Sequence, residues 1–72
     1  MAIKIRIKPG DKILEVDLKG RREISVEDLL RMIGLNPETA LAAWDDGKIV
    51  LFDDDIVADG EELVVYLSLS SG

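Results

Sequence analysis

The chain has 72 residues, 47% hydrophobic and 33% charged, a balance that suits one folded domain and leaves no room for a second. Without cysteine or histidine it is denied disulfides, thiolate metal sites, iron-sulfur ligation and the familiar Ser-His or Cys-His pairings. A net charge of −6 speaks against attraction to nucleic-acid phosphates. Ile3 to Lys8 alternate strictly, with Ile3, Ile5 and Ile7 on one face and Lys4, Arg6 and Lys8 on the other, which predicts a half-buried strand. Pro9-Gly10 then supplies a type II turn, and Lys12 to Lys19 form the returning arm of a hairpin with Leu14, Val16 and Leu18 inward. Glu15 and Asp17 face outward, where they can meet the bases of the first strand.

The helix is the best-specified element. Ser25 is its N-cap, Asp28 the acidic half of a capping box, and Ile24 with Leu29 a hydrophobic staple. Val26, Leu29, Leu30 and Ile33 make one apolar stripe, with Glu27, Asp28 and Arg31 outside it. Gly34 ends the helix, and Leu35 falls where a Schellman ending packs back on Leu30. Asn36 to Thr39 form a turn, Ala40 to Trp44 a third strand, and Asp45-Asp46-Gly47 a reversal into a short strand from Lys48 to Phe52. After Asp53-Asp54-Asp55 and the Asp59-Gly60 turn, Glu61 to Leu69 form the final strand, with Leu63, Val65, Leu67 and Leu69 inward. Residues 1–69 are therefore expected to be one domain, with Ser70-Ser71-Gly72 as a projecting tail.

A single helix between two groups of strands favours a right-handed crossover, which sets the last strand parallel to the first. The expected fold class is α+β, with a mixed sheet of four or five strands and one helix across it. No apolar run approaches the roughly 20 residues of a bilayer span, and the N-terminus lacks a signal-like apolar stretch, so a cytoplasmic protein is expected. Asp53-Asp54-Asp55 lacks the alternating ligands, glycine and distal glutamate of a calcium loop and reads as a solvated loop. Lys19, Arg21 and Arg22 beside Glu23 read the same way. No GxxxxGK[ST] or GxGxxG motif is present to hold a nucleotide. If Leu41 and Ala43 point inward, Trp44 shares the open sheet face with Tyr66, Val64, Arg6 and Lys4 as a protein interface. Otherwise Trp44 folds over a sheet edge and completes the core.

Several of these segments, taken together and in order, resemble one family. They are the alternating hairpin, Ser25-Val26-Glu27-Asp28-Leu29-Leu30, Gly34-Leu35-Asn36-Pro37-Glu38-Thr39, Asp46-Gly47-Lys48-Ile49-Val50 and Asp59-Gly60-Glu61-Glu62-Leu63. The chain is similar to the ThiS/MoaD-type sulfur carriers and archaeal small modifiers, of ubiquitin-like β-grasp fold. The resemblance implies that the C-terminal carboxylate, here Gly72, is the working group. An adenylating enzyme of the ubiquitin-activating type would energise it with ATP, after which a sulfur donor would give a thiocarboxylate or a target lysine an amide. The carrier itself would bind no cofactor and would be a monomer when free. Its partners would be that enzyme and either a synthase large subunit or target-protein lysines, with no nucleic acid or membrane. Arg6, Trp44, Tyr66, Leu67 and Leu69 are the expected partner interface, with Leu67 and Leu69 anchoring the base of the tail. The chain departs from the family at Ser71, which stands where the penultimate residue is normally glycine, and its Asp45-Asp46-Gly47 turn is one residue longer than usual. The alternative is a noncatalytic β-grasp interaction module that has lost the Gly-Gly tail.

Overall fold

The computed structural model describes residues 2–67. β1 (Ile3–Lys8) and β2 (Lys12–Val16) form the expected antiparallel hairpin, with Ile3 opposite Val16 and Ile7 opposite Lys12. The Lys8–Pro9 peptide bond is cis, and Gly10 takes a φ of 92°, the positive value that the second central position of the expected turn requires. Lys8 Nζ lies 3.2 Å from Asp11 Oδ1 across the turn. β2 stops short of its expected end because Asp17 Oδ1 accepts the backbone N–H of Lys19 at 2.8 Å, turning the chain through positive φ at Lys19 and Gly20. Leu18 is nonetheless buried, as its inward parity requires.

The helix α1 (Val26–Met32) has the N-cap that its sequence dictates, without the reciprocal Asp28 side-chain bond of the expected capping box. Ser25 Oγ accepts the Asp28 N–H at 3.1 Å, and Ile24 and Leu29 are both buried in the core. At the other end Leu35 N–H donates to Leu30 O (2.9 Å) and Gly34 N–H to Arg31 O (3.0 Å), with Gly34 at a φ of 83°. These are the paired bonds of a Schellman ending. Two elements were not anticipated. β3 (Glu23–Ser25) and β6 (Ile56–Ala58) pair antiparallel in a separate two-stranded sheet, with buried Ile24 opposite buried Val57.

β4 (Ala40–Trp44) matches its expected span, and β5 (Ile49–Val50) is shorter than expected. A single 3-10 turn, Asp45–Gly47, joins them. The last strand, β7 (Glu62–Leu67), is parallel to β1 and antiparallel to β4. The main sheet therefore runs β2-β1-β7-β4-β5, a mixed five-stranded sheet with one helix packed across it. This is the β-grasp-like arrangement expected. Val26, Leu29 and Leu30 of the helix share one core with Ile3, Ile5, Leu63 and Val65 of the sheet. Among the described residues no helix is long and apolar enough to cross a membrane. The expected continuation of the last strand to Leu69 and the Ser70-Ser71-Gly72 tail lie outside the described residues.

Candidate interaction surface

Strand parity divides the sheet into a covered and an open face. On the covered face Ala40 stands opposite Leu67 and Ala42 opposite Val65, all contributing to the core or packed against it. Trp44 has the same parity as Ala40 and Ala42 and also packs against the core. Leu41 and Ala43 thus point to the open face, and Trp44 does not share that face with Tyr66. The facing of this short strand is one residue out of step with the interface alternative, because alanines on both parities leave its alternation without contrast. The indole Nε1 of Trp44 is buried without a hydrogen-bond partner among the described residues.

The open face carries its own apolar row. The register lines up Ile13, Arg6, Val64, Ala43 and Val50 across all five strands, and Tyr66 stands opposite Leu41 in the adjoining row. Val64 and Ala43, at the middle, are 5% and 1% exposed although they lie outside the core cluster. Tyr66 stands beside this centre on the same face. Its side chain reaches along the sheet to the 3-10 turn, where a β-carbon on Gly47 would come within 2.6 Å of its hydroxyl oxygen. Gly47, at a φ of 96°, both permits the turn and leaves room for the ring. Ile13, Leu41 and Val50 remain exposed around this centre.

The charged border along β1 carries both signs: Glu15 and Glu62 stand opposite Lys4, and Asp11 lies 3.2 Å from Lys8. Arg6 lies 3.8 Å from Glu62 across the parallel pair, and both side chains are part exposed, a weak surface pairing. Of the residues expected to meet a partner, Arg6 and Tyr66 share the open face, Trp44 lies beneath it, and Leu67 packs partly buried against the core where the described strand ends. Leu69, Ser70, Ser71 and Gly72 lie outside the described residues. Of the exposed apolar residues of this face, Ile13 has the outward parity of Glu15 and is marked by alternation alone, whereas Leu41 points outward where the interface alternative has it inward.

The Asp53-Asp54-Asp55 run has a structural use. Val26 N–H donates to Asp55 O (2.9 Å) and Glu27 N–H to Asp53 O (3.0 Å), so the loop satisfies the first two helix amides while Ser25 takes the third. Asp55 Oδ2 in turn accepts the Phe52 N–H at 2.7 Å. Among the described residues no cluster of three or more acidic side chains is arranged to hold a metal ion. No protein-family model matches the chain.

Proposed function

We propose that this protein is a ubiquitin-like carrier whose Gly72 carboxylate is activated by an ATP-dependent adenylating enzyme. The observation that supports the reading is the sheet order β2-β1-β7-β4-β5, with the last strand at its centre, combined with the ordered motif resemblance to sulfur carriers. A central final strand is held by neighbours on both sides, so it is a firm base from which the following residues can be offered to a second protein. In the proposed chemistry a Gly72 carboxylate oxygen attacks the α-phosphorus of ATP and expels pyrophosphate. Hydrosulfide delivered by a donor then attacks the acyl carbon, expels AMP and releases its proton, leaving a thiocarboxylate, or a lysine amine does so and leaves an amide. ATP and the sulfur donor are bound by partner enzymes, and this chain supplies the carboxylate and the docking surface.

The open face around Arg6, Val64 and Tyr66 is the proposed dock for the activating enzyme. Its sheltered apolar centre, edged by charges of both signs, fits a partner surface with an apolar middle and a mixed polar rim. That apolar row also favours a second reading, a binding module with no chemistry at its C-terminus, for which Ser71 is the supporting residue. The two readings separate in one experiment. The protein is mixed with the adenylating enzyme of its own organism, ATP and a sulfur source, and its intact mass is followed. Exchange of one oxygen for sulfur at Gly72 is expected. Failure to react, while a Ser71→Gly chain does react, would leave the binding-module reading.

A further inference from the structure

On the side where β7 ends the protein has a concave surface that adjoins the open face at Leu41 and Tyr66. It is a groove of ≈ 760 Å³ between residues 37–41 and the loop that follows β5, with Tyr66 and Leu67 of β7 in its wall. Its apolar lining includes Leu41 and Phe52, and Phe52 is 70% exposed. That ring stands on fixed backbone: Phe52 N–H donates to Asp55 Oδ2, and Phe52 O accepts the Asp55 N–H at 3.0 Å. An aromatic ring held out on a constrained turn loses little further freedom when a partner covers it.

The rim is of one sign. Glu38, Asp53 and Asp54 line the groove, no lysine or arginine does, and none of the three carboxylates takes part in an ion pair among the described residues. Glu27, also at the rim, is the exception in being paired, 3.1 Å from Arg31. Nucleic acid and anionic lipid are repelled by such a border, whereas a cationic chain is drawn to it.

We infer that this groove docks a protein segment in which lysine or arginine residues flank an aliphatic anchor. The anchor packs against Phe52 and Leu41, and the bases meet Glu38, Asp53 and Asp54. The inference is independent of any chemistry at Gly72, because it needs only the groove and its charge.

The test is a titration of the full ¹⁵N-labelled chain with the capped peptide Arg-Leu-Arg-Leu-Arg, followed by amide chemical shifts, with Glu-Leu-Glu-Leu-Glu as the comparison. Shifts confined to residues 38–41, 51–54 and 66–67 are expected with the basic peptide and none with the acidic one. Asp53→Asn with Asp54→Asn weakens binding roughly tenfold, the scale of about 1.4 kcal/mol from two surface charge contacts. Phe52→Ser, at an exposed position that leaves the fold intact, weakens it comparably, and Asp11→Asn with Glu15→Gln on the hairpin at the opposite edge of the sheet leaves it unchanged. Shifts spread over every acidic loop, or affinity indifferent to Phe52→Ser, would reduce the effect to general charge attraction and overturn the proposal. So would nuclear Overhauser contacts between Leu69 methyls and the Phe52 ring in the peptide-free protein, which would make the chain's own C-terminal residues the occupant. Peptide-independent self-association through Phe52 would likewise replace the proposed partner with a second copy.

Discussion

Trp44 combines a packing role with an unmet polar atom, and the two can be measured apart. Truncating it to alanine removes the largest side chain packed against the core cluster, so Trp44→Ala is expected to lower stability by about 3 kcal/mol, read as a shift in the urea midpoint. Trp44→Phe keeps a ring in place and removes the buried, unpartnered Nε1–H, whose burial costs about 1 to 3 kcal/mol. The phenylalanine chain should therefore unfold at the same urea concentration as the natural one or higher. An unchanged midpoint for Trp44→Ala would contradict the core-side placement. Gly47 makes a second test at this scale. Gly47→Ala forces an L-residue to a φ of 96° and drives the Tyr66 hydroxyl from its place. A loss of about 1 to 2 kcal/mol is expected from the backbone alone. Because the Gly47→Ala loss includes displacement of the Tyr66 hydroxyl, the two changes Gly47→Ala and Tyr66→Ala should be non-additive in a double-mutant cycle.

At the level of elements, what the chain announces locally is what it forms. The helix carries its start in Ser25 and its end in Gly34-Leu35, and each signal corresponds to a hydrogen bond between residues close in sequence. Ser25→Ala is expected to cost about 1 kcal/mol, measurable by thermal unfolding, while the loop carbonyls of Asp53 and Asp55 continue to hold the neighbouring amides. β3 and β6 are a different case. Each spans three residues, too few for alternation to stand out, and each exists because the other is there to pair with it. Their pairing closes the helix entry, with Ile24 and Val57 buried opposite each other, so no local window could have revealed it. The facing of β4 was hidden for a related reason. Ala-Leu-Ala-Ala-Trp has no polar position to mark the solvent side, and its orientation is set by pairing with β7, whose Leu63, Val65 and Leu67 were legible.

Across the whole molecule, the hairpin, the helix and the last strand carried enough pattern to specify the β-grasp-like sheet, since the parallel β1–β7 pair follows from the crossover over a single helix. The surfaces were less legible. The open face and the acidic groove both depend on residues distant in sequence, Ile13 with Val50 in one case and Glu38 with Asp54 in the other, brought together only by the sheet order. The charge is unevenly matched across the molecule, with the bases of β1 standing beside acids while Glu38, Asp53 and Asp54 around the Phe52 groove take part in no ion pair among the described residues.

The proposed role turns on whether a second protein can spend ATP on the carboxyl group of Gly72, and ATP–pyrophosphate exchange measures that step alone. The adenylating enzyme of the same organism would be assayed with the natural chain and with a chain amidated at Gly72, which has no carboxylate to attack the α-phosphorus. Exchange that depends on the natural chain and vanishes with the amide is the predicted result. Equal exchange with both, or none with either, would contradict it.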